Sequence, residues 1–425
     1  MLRTQPERAT RLMSRLSGEL SRRQELLADG GFADIGEQRA AAASADRPGG
    51  PLPHILVLLD RWEGFTAALG EVDGGRLTET VTRILAEGAS AGLHLVMTGD
   101  RSLIAGRISS LTDDKMVLRL PDRDDVNLVG LRPRDLPDHI PPGHGFRAGS
   151  GVETQVALLA PDASGVGQAT ALREIAAVAT ARAAGAGRAQ RPFRVDVLPA
   201  RLSFADAWPL RDPAVARSPL WALVGVGGDD LAALGPDLAD GMPAFIVGGP
   251  AKSGRSSVLL AMARSLLSVG TGLVIAAPRP SPLRALDGRP GVAAVLTGSD
   301  LAAEELTTAL AGLAGPAVVM IDDAEGLRDC GAGDELKTLV AYGGDQGRAL
   351  IFGGNTEDLC SGFSGWQVDA RKARRGCLLS PQQITDGDLI GLRLPRSLIG
   401  EPVRPGRALL NTGDGTLATV AVPRD

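Results

Sequence analysis

The chain has 425 residues, of which 44% are hydrophobic and 22% are charged, and its formal net charge is −5. The length predicts two or three domains, and the apolar content excludes a chain that is disordered throughout. An acidic balance is no general signature of nucleic-acid binding, although a local basic channel stays open as an alternative. The sequence has no run of eighteen apolar residues and no apolar N-terminal signal region, so it predicts neither a membrane segment nor export.

The cysteines and histidines show no metal-site pattern. Cys330, Cys360 and Cys377 lie far apart in the sequence, which indicates a reducing compartment instead of a disulfide framework. We therefore expect a cytoplasmic protein, which reaches a membrane only through regions or partners outside this chain.

Short Val, Leu and Ile runs alternate with helical segments along the chain. Helices are predicted over 78–92 and 162–185 in the first half, and over 334–347 in the second half. Nearly continuous apolar strands linked by helices indicate an α/β fold with a parallel sheet that is covered on both faces. The segment 185–191 (GAGRAQR) is the most linker-like stretch.

The sequence contains a distant internal repeat. HILVLLDRWEGF at 54–65 matches AVVMIDDAEGL at 317–327 with an offset of 262. LVGLR at 128–132 matches LIGLR at 389–393 with an offset of 261, and a hairpin-like stretch follows each of them. Matches in the same order at nearly constant offsets predict two copies of one domain.

The repeat predicts a first domain at 1–184, a linker at 185–192 and a second domain at 193–425. MLRTQPERATRLMSRL at the N-terminus resembles VLTGSDLAAEELTTAL at 295–310, which lies well inside the second copy. We therefore expect the first copy to be N-terminally incomplete and to lack a phosphate-binding loop. Either the chain is a fragment of a larger protein or its start codon is misassigned.

The second copy has a strand, a glycine-rich turn and a helix in the order that a phosphate-binding loop requires. The strand covers 244–247 and the helix opens at Ser256. Glycines let backbone N–H groups cradle phosphates, and Ser256 would offer its hydroxyl to Mg²⁺. The alternative is an ordinary strand-to-helix turn. The residues predicted to bind ATP are Gly249, Pro250, Ala251, Lys252, Ser253, Gly254, Arg255, Ser256 and Ser257.

Arg255 is the one departure from the pattern G-x-x-x-x-G-K-[ST]. A guanidinium is bulkier than an ammonium and binds oxygens as a flat fork. It can hold phosphates while it places charge poorly at the transferring γ-phosphoryl group. Lys252 in the same loop is the candidate that would compensate in part. The loop therefore predicts ATP binding with weak hydrolysis.

An apolar strand ends in Asp322 and Asp323, which form a Walker B pattern 68 residues after Gly254. Asp322 would order Mg²⁺, and Asp323 would orient the attacking water, although it is one methylene shorter than the more common glutamate. Acids at strand ends also cap helices, which is the alternative for this pair. Asn355 ends the next predicted strand, where it either senses the γ-phosphate or only forms a turn.

The first copy keeps Asp60 at the position of Asp322 but has Arg61 at the position of Asp323. Arginine cannot act as a base at physiological pH, so residues 1–192 alone are not expected to hydrolyse nucleotide. In the second copy, a basic run follows Trp366. It would supply an arginine in trans at a subunit interface, contact nucleic-acid phosphates, or form a solvated helix face. Its members are Arg371, Lys372, Arg374 and Arg375.

These motifs make the sequence resemble the FtsK/SpoIIIE family of motor ATPases over nearly the whole chain. The resemblance rests on GGPAKSGRSS, VVMIDDAEGL, LIFGGN and LIGLRLPRSLIGEPVRPGRALL. It is strongest to the multi-module actinobacterial members, including the EccC-type ATPases of type VII secretion. It implies two tandem RecA-like P-loop modules that bind ATP and Mg²⁺ and assemble with other subunits into a homo-oligomeric ring.

Two functions remain open at this point. The first is an ATP-binding module of a translocase, which moves DNA, as in cell division, or a secreted protein. The second is a non-hydrolysing interaction module whose bound nucleotide stabilises subunit packing or recruits a partner. The intact loop and paired acids favour the first, whereas Arg255, Asp323 and Arg61 favour the second.

Overall fold

A computed structural model of the chain describes residues 6–43, 50–185, 193–400 and 405–424. They divide into two compact units, Met1–Phe193 and Arg194–Asp425. Residues 186–192, where a linker was predicted, lie outside the described part of the chain. Within the described ranges, no helix combines the length and the apolar character that crossing a membrane requires.

The first unit contains two small sheets. Its helices are α1 (Pro6–Gly30), α2 (Ile35–Ala43), α3 (Trp62–Leu69), α4 (Arg76–Glu87), α5 (Arg101–Ile104), α6 (Gly106–Ser110) and α7 (Gly165–Gly185). Its strands are β1 (Ile55–Leu59), β2 (Leu93–Met97), β3 (Met116–Val117), β4 (His144–Arg147) and β5 (Glu153–Gln155). β1 and β2 pair in parallel, and β3, β4 and β5 form an antiparallel sheet in that order.

The helices of the second unit are α8 (Phe204–Ala207), α9 (Arg255–Ser268), α10 (Ala303–Ala311), α11 (Gly333–Tyr342), α12 (Thr356–Cys360) and α13 (Trp366–Arg371). Its strands are β6 (Gly225–Gly227), β7 (Ala232–Leu234), β8 (Ala244–Gly248), β9 (Gly272–Ala276), β10 (Val292–Leu296), β11 (Ala317–Ile321), β12 (Arg348–Gly354), β13 (Gly376–Leu378), β14 (Arg407–Asn411) and β15 (Ala418–Ala421).

One ten-stranded sheet organises the second unit, in the order β10-β9-β11-β12-β8-β13-β14-β15-β6-β7. The strands from β10 to β13 in that order pair in parallel, and the others pair antiparallel. The predicted α/β fold with a largely parallel sheet is confirmed. The parallel strands are short apolar runs joined by helices, which such a sheet requires because both of its faces are buried.

The two faces of this sheet carry separate cores. One face packs on α9 through Val258, Leu259 and Met262. The other packs against α11 and α13, where the indole N–H of the buried Trp366 donates a hydrogen bond to the carbonyl of Leu327 at 3.0 Å. Both cores are built mainly from aliphatic side chains, as an aromatic content of 3% dictates.

The internal repeat is visible in the backbone. Two 3₁₀-helices, Arg123–Val129 and Ile384–Ile390, lie at equivalent points, and each ends at a left-handed glycine. Each lies between the first and second strands of an antiparallel set, β3-β4-β5 or β13-β14-β15. Arg61 and Asp323 are also equivalent, and both have a positive φ, of 63° and 52°.

The predicted helices are present with shorter bounds. The helix expected over 78–92 is Arg76–Glu87, and the one expected over 334–347 is Gly333–Tyr342. Both end at a glycine, after which the chain turns into the next strand, because glycine has low helix propensity. The helix expected over 162–185 begins at Gly165.

A buried arginine fixes the long helix α1 in the first unit. Arg23 is 1% exposed, and its Nη1 donates hydrogen bonds to the carbonyls of Pro53 at 2.8 Å and Ala91 at 3.0 Å. Its Nε donates to Glu19 at 2.7 Å. These bonds satisfy carbonyls that border both strands of the parallel sheet, so they tie α1 to that sheet.

Candidate nucleotide-binding site

The predicted site residues meet at one edge of the large sheet. Gly249 follows β8, Asp322 and Asp323 follow β11, and Asn355 follows β12. Because these strands are parallel and adjacent, their carboxyl ends lie at the same edge. Ligands of open α/β sheets bind at this edge.

The loop from Gly249 to Gly254 has the geometry that a phosphate cradle needs. Gly254 has a φ of 108°, which a residue with a side chain rarely adopts. A Cβ on Gly249 would lie 2.5 Å from Ser253 Oγ, so only glycine fits this close approach. The loop delivers the chain to the N-terminus of α9, whose first N–H groups lack intrahelical partners.

Ser253 supplies an independent sign that the loop accepts a polar ligand. Its side chain is 5% exposed, and in the part of the chain that the structure describes its Oγ has no hydrogen-bond partner. A buried hydroxyl without a partner is costly. A phosphate oxygen in the cradle would satisfy it.

The oxygen donors expected for Mg²⁺ lie together. Ser256 Oγ donates a hydrogen bond to Asp322 Oδ2 at 2.7 Å, and Asp322 is 1% exposed. Ser281, in the loop after β9, donates to the same Oδ2 at 2.7 Å. A hydroxyl beside a buried carboxylate is a donor pair that Mg²⁺ accepts, so these residues fit the ion.

Arg255 lies between the loop and the second acid. Its Nη1 donates to the carbonyl of Gly249 at 3.2 Å, and its Nη2 donates to Asp323 Oδ1 at 3.0 Å. Both side chains of the Arg255–Asp323 pair are largely buried. The guanidinium therefore engages one of the two carboxylate oxygens of Asp323.

A second arginine approaches the same acids. Arg279 lies in the loop after β9 between Pro278 and Pro280. Its Nη1 is 3.3 Å from Glu325 Oε1 and 3.9 Å from Asp323 Oδ1. Two cations thus face the cluster of three carboxylates at the end of β11.

Asp323 has a pKa above its ordinary value of 3.8. Burial, which disfavours the charged form, is the largest cause, and repulsion from Asp322 and Glu325 adds to it. Arg255 and Arg279 act in the opposite direction but do not cancel these effects. A carboxylate that is kept at an electrostatic disadvantage is typical of a functional site.

Asn355 lies at the site, where its side chain caps a helix. Its Oδ1 accepts a hydrogen bond from the backbone N–H of Glu357 at 3.0 Å and so forms the N-cap of α12. Its own backbone N–H donates to Glu325 Oε2 at 3.3 Å. Capping commits the oxygen of the amide and leaves its NH₂ group as the part that could reach a phosphate.

The members of the basic run after Trp366 differ in how far they are buried. Arg375 is buried and donates to the carbonyls of Ala244 and Asp237, so it has a structural role. Arg371 donates to the carbonyl of Gly362 at 3.1 Å, and Lys372 pairs with Asp369. Arg374 is exposed, with a positive φ.

The first unit repeats only part of this arrangement. Asp60 follows β1 and accepts a hydrogen bond from Thr98 Oγ1 at 2.5 Å. Arg61 points its guanidinium to Glu63, with Nε 2.9 Å from Oε1. The described residues of this unit include no counterpart of Ser256, and the hydroxyl beside Asp60 is that of Thr98.

The sequence analysis missed Ser281 and Arg279. They lie in a Pro-rich segment, APRPSP, directly after a buried strand that is adjacent to β11. Polar residues at the carboxyl end of a strand next to the Walker B strand were the available signal. In the described residues, the site included, no group of three or more His, Cys, Asp or Glu side chains is arranged to hold a metal ion.

Comparison with solved structures identifies the fold. ATPases 2 and 3 of EssC from Geobacillus thermodenitrificans match 98% of this chain and 79% of that chain, with a TM-score of 0.68 and 16% identity. ATPases 2 and 3 of EccC from Thermomonospora curvata, in complex with a signal sequence peptide, match 100% and 78%, with a TM-score of 0.56 and 20% identity. The chain has the fold of the tandem EssC and EccC ATPase domains.

This fold confirms the expected resemblance to the EccC-type ATPases. The cytoplasmic domain of EssC also matches 98% of this chain and 83% of that chain, with a TM-score of 0.60 and 16% identity. No family model matches the sequence, and no curated protein matches it significantly. The shared fold therefore rests on the structural matches, at 16% to 20% identity.

Proposed function

We propose that this chain is an ATP-binding module of an FtsK/SpoIIIE-type translocase that moves secreted protein, as in type VII secretion. The second unit binds Mg²⁺-ATP and hydrolyses it slowly. The single observation that carries this proposal is the site itself, where Ser256 and Asp322 lie 2.7 Å apart beside a glycine-rich cradle. The fold shared with EssC and EccC supports the cargo class.

Different residues of the site bind the phosphates and the Mg²⁺ ion. The loop from Gly249 to Ser257 and the N-terminus of α9 hold the phosphates, because both present N–H groups to an anion. Ser253 Oγ is buried and lacks a partner among the described residues, so it is available to the same anion. When bound, Mg²⁺ neutralises phosphate charge, and Ser256 and Asp322 are the residues that would hold it.

Slow hydrolysis follows from the pairing of Arg255 with Asp323. Asp323 must accept a bond from the attacking water, but its Oδ1 accepts one from Arg255 at 3.0 Å. Arg255 must also leave this acid before it can support the γ-phosphoryl group. Both demands fall on one guanidinium, so the site favours binding over turnover.

Calorimetric titration of the full chain with ATP, with and without Mg²⁺, tests binding. We expect Ser256→Ala and Asp322→Ala to weaken Mg²⁺-dependent affinity by about tenfold or more, the equivalent of one hydrogen bond to a charged group. Ser268→Ala is the matched control, since Ser268 is exposed on the same helix. Absence of binding at millimolar ATP by the folded chain would overturn the proposal.

The second candidate function is a module that binds nucleotide without hydrolysing it and stabilises subunit packing. The observation that favours it is again the Arg255–Asp323 pair, in which Arg255 engages one oxygen of the acid. Phosphate release separates the two candidates. Slow phosphate release that disappears in Asp322→Ala supports the ATPase. Absence of phosphate release, together with ATP-dependent association of the chain in sedimentation, supports the packing role and a ring of subunits.

Polypeptide is the cargo that the surface favours over DNA. Phe363 is fully exposed on a loop that Arg371 and Arg328 brace, through Gly362 O at 3.1 Å and Ser361 Oγ at 2.8 Å. A braced, exposed aromatic suits an apolar peptide side chain. Arg371, Lys372 and Arg375 are engaged with carbonyls and a carboxylate, which leaves little concentrated charge for phosphates.

The signal sequence peptide that the Thermomonospora curvata relative binds is a suitable probe for cargo. We expect the full chain to bind it more tightly than a DNA duplex of similar mass, and Phe363→Ser to weaken this binding. Tyr342→Ser, at another exposed aromatic, is the control. Preference for the duplex would reassign the cargo to DNA.

We place the module on the cytoplasmic side of a membrane, as in the cytoplasmic domain of EssC.

A further inference from the structure

The segment that follows β9 leaves the sheet beside the acids of the candidate site. β9 and β11 pair in parallel with Ala276 opposite Ile321, and the backbone N–H of Asp322 donates to the carbonyl of Ala276 at 3.0 Å. Arg279 is the third residue of this segment. The strand register therefore places an arginine next to the carboxylates that follow β11.

The backbone around Arg279 is fixed on both sides. The prolines that flank Arg279 restrict φ, and a residue that precedes proline is confined to extended conformations. Arg284 donates to the carbonyl of Ala277 from Nε at 3.1 Å and from Nη2 at 2.7 Å. Ser281 Oγ donates to Asp322 Oδ2 at 2.7 Å. The chain is thus anchored two residues before and two residues after Arg279, which fixes the point from which its side chain reaches the site.

The guanidinium of Arg279 has one arm on a carboxylate and the other arm available. Its Nη1 lies 3.3 Å from Glu325 Oε1 and 3.9 Å from Asp323 Oδ1. Its Nη2 and Nε donate no hydrogen bond within the described part of the chain, and the side chain is 62% exposed. Arginine presents five donors in a planar fork. Arg279 can therefore keep its contact with Glu325 and bind a second anion at the same time.

Glu325 supports this arrangement from the side of β12. Its side chain is 13% exposed, and its Oε2 accepts a hydrogen bond from the backbone N–H of Asn355 at 3.3 Å. A Cβ on Gly354 would lie 2.5 Å from the same Oε2, so the carboxylate packs closely against the end of β12. Because Glu325 is held in this way, it directs the guanidinium of Arg279 to the edge of the sheet where Asn355 lies.

The charges at this edge call for a further cation. In the proposed function the terminal phosphate of ATP lies beside Asp323, because that acid orients the water that attacks it. This phosphate faces the three carboxylates that follow β11, which repel it. Arg255 is largely buried, and both of its terminal nitrogens are engaged, with the loop and with Asp323. Of the two arginines that face these carboxylates, Arg279 has the terminal nitrogen that is unengaged among the described residues.

We propose that Arg279 binds the γ-phosphate of ATP in cis and makes the site prefer nucleoside triphosphates to diphosphates. This inference rests on the proposed function and adds the residue that distinguishes the two ligands. The unengaged donors of the guanidinium contact the γ-phosphate, and the contact with Glu325 keeps them in position. The loop from Gly249 and the N-terminus of α9 bind the other phosphates, so ADP does not depend on Arg279.

Calorimetric titration of the full chain with ATP and with ADP, both with Mg²⁺, tests the proposal. We expect Arg279→Gln to weaken ATP binding by about tenfold or more, since hydrogen bonds to a charged group are lost. Its affinity for ADP should change by less than about threefold, as for an exposed charge that makes no contact.

Two further variants define the role of the guanidinium. Arg279→Lys keeps the charge but loses the fork, so its ratio of ATP to ADP affinity should lie between those of wild type and Arg279→Gln. Arg289→Gln, at an exposed arginine between β9 and β10, is the control and should keep the wild-type ratio.

The ratio of the two affinities separates a contact with the γ-phosphate from a purely structural role. Retained ADP binding shows that a variant folds and keeps its phosphate loop. An equal loss of ATP and ADP affinity in Arg279→Gln would overturn the proposal, because Arg279 would then only shape the site. Unchanged affinities in this variant, or equal affinities for both nucleotides in wild type, would overturn it as well. Binding of neither nucleotide by the folded wild-type chain would instead overturn the proposed function, and this inference with it.

Discussion

Arg255 and Asp323 form a largely buried ion pair, with Nη2 3.0 Å from Oδ1, beside the glycine-rich loop that follows β8. The residue that replaces the loop lysine is thus bonded to the acid that would orient the attacking water. Arg255 departs from the usual lysine and Asp323 from the usual glutamate, and these two residues are bonded to each other. This pairing determines what substitutions at the site should do.

Arg255→Lys is expected to raise ATP turnover by about tenfold or more. A compact ammonium can follow the charge on the γ-phosphoryl group, and misplacing one such donor costs turnover by at least this factor in other enzymes. Phosphate release by the full chain at saturating Mg²⁺-ATP is the measurement. Arg264→Lys, on the same helix, is the control. An unchanged rate in Arg255→Lys would assign the slow step to the short side chain of Asp323 or to subunit contacts.

The raised pKa of Asp323 predicts how the stability of the chain depends on pH. The pKa of Asp323 is raised in the folded chain above its ordinary value of 3.8. The contribution of this carboxyl group to stability is therefore fully present at pH values below 3.8, and it is lost as the pH rises through the folded-state pKa. Asp323→Asn cannot titrate. We expect the free energy of unfolding of the variant to lack this decline, in urea titrations between about pH 4 and about pH 7.

The comparison concerns the slope with pH, because only an effect of the substitution that is independent of pH, such as a change in packing, leaves the slope unaltered. Asp329→Asn, at an exposed position nearby, is the control and should keep the wild-type slope. Parallel curves for wild type and Asp323→Asn would contradict a raised pKa.

Arg23 and Arg22 form a matched pair for the stability of the first unit. Both donate to Glu19, but Arg23 is buried and also binds the carbonyls of Pro53 and Ala91. Arg23→Ala should destabilise this unit by about 3 kcal/mol, because it leaves buried carbonyls without donors. Arg22→Ala should cost less than about 1 kcal/mol, as for an exposed ion pair. Equal losses in chemical denaturation would argue against the anchoring role of Arg23.

Phe363 and Trp366 lie three residues apart and should respond in opposite ways. Trp366 is fully buried, so Trp366→Ala should cost about 3–5 kcal/mol of stability. Phe363 is fully exposed, so Phe363→Ser should change stability by less than about 0.5 kcal/mol. Thermal unfolding of both variants measures this difference. A large loss in Phe363→Ser would show that its side chain packs within the protein and is not a free contact for cargo.

The sequence by itself determined the α/β fold of the second unit, the internal repeat and the position of the phosphate loop. These features are local or periodic. Apolar runs fix strands, Gly254 fixes a turn that needs a positive φ, and the spacing from Gly254 to Asp322 fixes two strand ends. The sequence also indicated that Arg255 departs from the motif, since this departure is a matter of residue type alone.

Tertiary structure alone decided which groups meet. The bond from Arg255 to Asp323 joins residues 68 positions apart, and the bond from Ser281 to Asp322 joins residues 41 apart. Such contacts depend on strand order, which pattern and propensity do not encode. The exposure of Leu56 and Leu58 in the first unit was likewise invisible, because they have the same apolar pattern as the buried Val318 and Met320. Whether such a strand is covered depends on which helix packs on it, and that is a property of the assembled chain.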